Sequence, residues 1–106
     1  MKTLILTTIG LILTVGLALA AETKHNVKPK AGYVPDEKTA IAIAVAVWLP
    51  IYGEERIQKE KPFKAVLKDG VWHVEGTLSP ENTLGGVAEA EILKEDGKIL
   101  QISHGK

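Results

Sequence analysis

PFKAVLKDGVWHVEGTL, residues 62–78, decides the fold. Two runs of alternating character flank Asp69-Gly70, a dipeptide that supplies the positive φ a two-residue hairpin turn requires. A turn centred there pairs Leu67 with Trp72, Ala65 with Val74 and Phe63 with Gly76 on one face. The other face receives Lys68 with Val71, Val66 with His73, and Lys64 with Glu75. The first set is apolar and the second ends on an opposite-charge pair, so one register satisfies both faces.

Downstream, residues 79–84 read as a loop around Pro80, and Gly85-Gly86 opens a third strand over residues 87–93. A fourth strand is predicted over residues 99–104. A two-residue Asp96-Gly97 turn would set Ile92 against Gln101 and mix the faces. A three-residue Glu95-Asp96-Gly97 loop, with glycine in the left-handed position, instead pairs Ile92 with Leu100, Ala90 with Ile102 and Ala88 with His104. The expected sheet is therefore an antiparallel meander of four strands.

Upstream, Val34-Pro35-Asp36-Glu37-Lys38-Thr39 is a helix start. Proline is tolerated in a first turn, and an acidic residue there favours the positive end of the helix dipole. The alternation of alanine with Ile41, Ile43, Val45 and Val47 has a strand-like period, but the start signal, the alanines and the length through Tyr52 favour helix. That helix would place Ile41, Val45, Trp48 and Leu49 along one side and Ile43, Val47 and Ile51 along the next. Its nearly continuous apolar circumference predicts that the sheet wraps it. Pro50 kinks or ends it and Gly53 ends it more firmly. The charge-dense EERIQKEK, residues 54–61, reads as a short helix or turn with solvated charges and i,i+4 pairs Glu55/Lys59 and Arg56/Glu60. The fold class is thus α+β: one N-terminal helix packed on a four-stranded antiparallel meander, a cystatin-like arrangement.

The first twenty residues belong to a different grammar. Lys2, an apolar run over residues 4–17 and the small-x-small Ala18-Leu19-Ala20 form the pattern of a cleaved secretory signal peptide. The run is shorter than a membrane span needs, and a chain with no cysteine offers nothing to acylate, so no stable membrane anchor is expected after cleavage. Residues 21–32 read as a flexible lead, with His25 a solvated residue, and residues 33–106 as a single α+β domain. Losing residues 1–20 removes one charged side chain, Lys2, and moves the formal balance from zero to one net negative charge. Such a balance leaves no electrostatic footprint for nucleic acid or an anionic membrane surface. Export without disulfides leaves apolar packing to hold the domain, and 45% apolar residues make that feasible.

Five blocks carry a resemblance: YVPDEKTAIAIA, WLPIYGEE, KPFKAVLKDGVWHVEGTL, GGVAEAEI and KEDGKILQISHGK. In this order, over residues 33–106, they look like the small bacterial immunity proteins of the nuclear-transport-factor-two-like fold. The resemblance implies a helix cradled by a curved sheet, truncated at this size, and a role in polymorphic toxin systems. It also implies a protein partner, a cognate toxin that the protein neutralises by binding, and it brings no catalytic residues.

The residues themselves offer little to an enzyme. Ser103 and His104 are adjacent on a strand and point to opposite faces, so they cannot act as nucleophile and base. No phosphate-cradling loop or zinc spacing occurs, and neither cofactor nor metal is expected. The face away from the helix gathers His73, Glu75, Glu89 and Glu91, near Gln101 and Ser103. These residues form either the solvated face of an antiparallel sheet, balanced by Lys64 and Lys68, or an acidic patch for a basic partner surface, with a metal site less favoured. His104, on the apolar side, is expected to be a half-buried strand-end histidine. The expected function is an exported, periplasmic or secreted toxin-neutralising protein; the alternative is a general envelope binding or inhibitor-like module without catalysis. An isomerase of the broader fold would need a carboxylate base within a roomy apolar cone, whereas the face expected to meet the helix is apolar and carries no carboxylate.

Overall fold

The structure, a computed structural model, describes residues 25–80 and 85–105. The signal-peptide reading of residues 1–20, the start of the lead and part of the 79–84 loop lie outside the described residues. Helix α1 spans Glu37–Tyr52 and α2 Glu54–Gln58. Four strands follow: β1 Lys64–Lys68, β2 Val71–Glu75, β3 Ala88–Leu93 and β4 Ile99–His104. They form one antiparallel sheet in the order β1-β2-β3-β4, the predicted meander. Among the described residues, no helix is long and apolar enough to cross a membrane.

The Asp69-Gly70 turn sets the register. Lys64 faces Glu75, Ala65 faces Val74, Val66 faces His73, Leu67 faces Trp72 and Lys68 faces Val71. Both turn residues take positive φ, 51° at Asp69 and 77° at Gly70, the geometry a tight hairpin demands. The expected Phe63–Gly76 pair does not form, because β2 leaves β1 after Glu75. The Gly76 N–H turns instead to the Ala88 carbonyl, and the Thr77 N–H to the Glu60 carbonyl at 2.7 Å.

Between β3 and β4 the Ala90–Ile102 and Ala88–His104 pairs form as expected. The third pair differs. Ile92 faces Ile99, and a bulge between Glu91 and Ile92 leaves Leu100 unpaired. The turn is longer than three residues: the Leu93 N–H reaches the Lys98 carbonyl, and Gly97 takes the left-handed conformation at φ 78°. A bulge absorbs the mismatch without turning the remaining strand over.

Helix α1 begins where the sequence places it. The Asp36 carboxylate accepts from the Thr39 N–H at 2.8 Å and from the Thr39 hydroxyl at 2.6 Å, satisfying a backbone donor that the first turn leaves free. Pro50 falls in the last turn and Gly53 closes the helix, its N–H bonded to the Leu49 carbonyl. What the helix buries differs from expectation. Ala40, Ala44 and Trp48 face the sheet and are fully enclosed, whereas Ala42, Ala46 and Pro50 are exposed and Ile51 is 56% exposed. The sheet therefore covers one side of α1 and does not wrap it.

The reason is steric. The inner face of the sheet offers the small Ala65, Ala88 and Ala90 beside Val74 and Ile92, so the helix approaches through its own alanines. Trp48 fills the space those methyls leave; its indole N–H donates to the Glu89 carbonyl at 3.2 Å, and its ring meets Phe63 at 5.7 Å. Ile41, Ile43, Val45 and Leu49 pack around this contact, half-buried.

Trp72 closes the other end of the core. Its N–H donates to the Val34 carbonyl at 2.8 Å in a buried bond, which fastens the approach to α1 onto β2. The segment before it is held as well. Tyr33 and Val34 donate to the Glu95 and Lys94 carbonyls. A Cβ on Gly32, at φ +85°, would stand 2.5 Å from the Lys94 oxygen, so only glycine passes there. The end of the expected lead, Lys28 to Gly32, thus lies against the β3–β4 turn, with the Lys28 ammonium 2.7 Å from Glu95.

Candidate functional site

The hairpin registers place His73, Glu75, Glu89 and Glu91 together on the outer face, opposite the helix. Strand residues alternate faces, so the Trp72–Val74 and Ala88–Ala90–Ile92 sets that bury themselves send these four outward. Two rows cross the sheet: Lys64, Glu75, Glu89 and Ser103 in one, Val66, His73, Glu91 and Gln101 in the next. Together they line a shallow depression of about 250 Å³. At its edge-strand side Val66 is 62% exposed.

Charge in this depression is poorly balanced. Glu75 stands directly opposite Glu89 on the central pair of strands, an arrangement that destabilises a sheet. Lys64 neighbours Glu75 from β1, but Glu89 has serine on its other side. In the next row His73 faces Glu91, Nδ1 to Oε2 3.8 Å, an ion pair only when the imidazole is protonated. Both side chains are substantially exposed. The carboxylates of β2 and β3 let the middle of this face receive guanidinium or ammonium groups. Among the described residues no group of three or more His, Asp or Glu side chains is arranged to hold a metal ion.

A second cluster, on the inner face, was not legible in the sequence. Glu60, expected to be solvated, is 5% exposed. One carboxylate oxygen accepts from the Ala88 N–H at 2.7 Å, and the other lies 3.0 Å from His104 Nε2. Arg56, one turn earlier, stands 3.8 Å from the same oxygen, so the expected i,i+4 pair forms with one member buried. The carboxylate lies over Gly76, where a Cβ would come within 2.4 Å of its Oε1. The Tyr52 ring covers His104 at 5.2 Å. The inner face thus does receive a carboxylate, delivered by the turn after α2 rather than by a strand. Its Oε1 is held by the Ala88 N–H and its Oε2 stands beside His104 and Arg56, which makes it a tie between elements. Glu55–Lys59, the other predicted pair, remains on the surface at 4.0 Å.

The family described as NTF2 fold immunity protein matches residues 39–106. The chain belongs to this immunity protein family of polymorphic toxin systems, whose members are typically non-catalytic. It is similar to the uncharacterized protein YhhH of Escherichia coli (strain K12), at 34% identity over 86 residues, 81% of this chain and 65% of that protein. It is also similar to the uncharacterized protein YbbC of the same strain, at 35% identity over 83 residues, 78% of this chain and 66% of that protein. The matched part of the chain therefore spans about two thirds of the length of these curated relatives. No solved structure matches it.

Proposed function

We propose that this protein is exported and neutralises a cognate toxin by binding it, using the outer face of the sheet. The observation that carries the reading is the unbalanced acidic row centred on Glu75 and Glu89 in a fold that belongs to the immunity family. An immunity protein acts by occupying its toxin, and occupation needs a preformed surface of roughly 800 Å² per partner. Strands β1 to β4 supply the middle of such a surface on a paired sheet, with carboxylates at its centre. The partner surface is basic: cations steer encounter with an acidic face and relieve the repulsion within it.

The address follows from the sequence. The N-terminal pattern of residues 1–20 supports export with cleavage, so protein and toxin meet in the periplasm or outside the cell. The toxin then damages a target in the envelope or is intercepted before it reaches the cytoplasm. Co-purification of the mature chain with products of adjacent genes tests the reading, together with survival of a deletion strain against its siblings. A stoichiometric toxin complex and loss of resistance on deletion are expected. Absence of both contradicts the proposal.

A further inference from the structure

His104 Nε2 has two claimants. The Arg56 Nε–H points at it from 3.2 Å as a donor, and the Glu60 Oε2 stands 3.0 Å away as an acceptor. A ring nitrogen carries either a lone pair or a proton, so it serves one of them at a time. Nδ1 faces the Gly105 carbonyl at 3.2 Å, an acceptor that holds a proton on that nitrogen. With Nδ1 protonated, the neutral ring offers its Nε2 lone pair to Arg56. A second proton turns Nε2 toward Glu60 in a charge-assisted bond and leaves Arg56 without its acceptor.

We propose that protonation of His104 swaps its partner from Arg56 to Glu60 and so releases a tethered arginine from α2.

The cluster is built for this exchange. Glu60 is fixed independently of His104 by the Ala88 N–H and by the glycine at position 76 that makes room for it. The acceptor therefore waits in place whichever state the ring adopts. Arg56 has the freedom to leave: its side chain is half-exposed, against 14% for His104 and 6% for Glu60. The groups that face the ring are Tyr52 from α1, Arg56 from α2 and Glu60 from the turn that follows it. Nε2 has a partner in either state, Arg56 or Glu60, while the Ala88 N–H holds Glu60 throughout. What differs is the tie between α2 and β4 and the free cation at the surface. The device lies on the inner face and stands apart from the acidic outer face.

Nitrogen NMR of the full chain, followed from about pH 8 to about pH 5, where an imidazole changes charge, tests it. At the upper end Nε2 is expected to read as the unprotonated nitrogen, with the Arg56 Nε–H protected from exchange. Through the His104 transition that protection falls roughly tenfold, as loss of one hydrogen bond requires. In His104→Gln, whose amide does not titrate, Arg56 shows no such transition. A proton on Nε2 at the upper end, or Arg56 exchange that ignores the His104 transition in the wild-type chain, overturns the proposal whether or not the variant folds.

Discussion

Glu75 and Glu89 oppose each other across the central strands β2 and β3. The pairing that best stabilises the core on one face thus forces two like charges together on the other. Register ties the two facts: Trp72 against Ile92 and Val74 against Ala90 make Glu75 and Glu89 direct neighbours.

Glu89→Gln removes that opposition. Unfolding by denaturant is expected to show stability unchanged or raised by up to about 1 kcal/mol, while the affinity for a basic partner falls. A clear loss of stability would show that the carboxylate serves the fold.

Trp72→Ala empties the core end where the approach to α1 is fastened, at an expected cost of about 3–5 kcal/mol. Trp72→Phe keeps most of the volume but strips the Val34 carbonyl of its buried donor, for about 1–3 kcal/mol. Equal losses in the two variants would contradict the role given to the N–H bond.

Gly76→Ala drives a methyl into the Glu60 carboxylate and should cost about 1–3 kcal/mol through the orphaned Ala88 N–H. In a Glu60→Gly background neither the carboxylate nor the Cβ that would stand 2.8 Å from the new methyl remains, and the same change should cost much less. A double-mutant cycle reads this directly, and additive losses would refute the contact.

Asp36 gives a pH signature. Hydrogen bonds from the Thr39 side chain, then its backbone N–H, hold its carboxyl below the usual value. With the folded value depressed, the contribution is present above the unfolded value near about 4 and disappears as pH falls through the folded one. Asp36→Asn retains a capping acceptor and should flatten this part of the acid limb of melting temperature against pH. An unchanged acid limb would dismiss the cap as a source of acid sensitivity.

The hairpin register was legible because Asp69-Gly70 leaves one way to pair two alternating strands, and the same alternation assembled the outer-face residues. The β3–β4 bulge was legible only as a break in phase, since sequence shows that faces must be reconciled but not where Leu100 drops out. The buried side of α1 was obscured because isoleucine and valine outrank alanine in hydrophobicity, whereas close approach to a sheet of alanines selects Ala40 and Ala44. Glu60 left no local trace. It sits in a charged run and owes its burial to Gly76 and Ala88, contacts that exist only after the sheet forms.

The central claim is that the acidic outer face binds a toxin. Titration calorimetry of the mature chain with the product of the neighbouring toxin gene tests it most directly, with wild type compared against Glu75→Lys/Glu89→Lys. The account predicts a one-to-one complex for the wild type and none for the folded charge-reversed chain. Equal binding by both chains, or no binding by either, would contradict it.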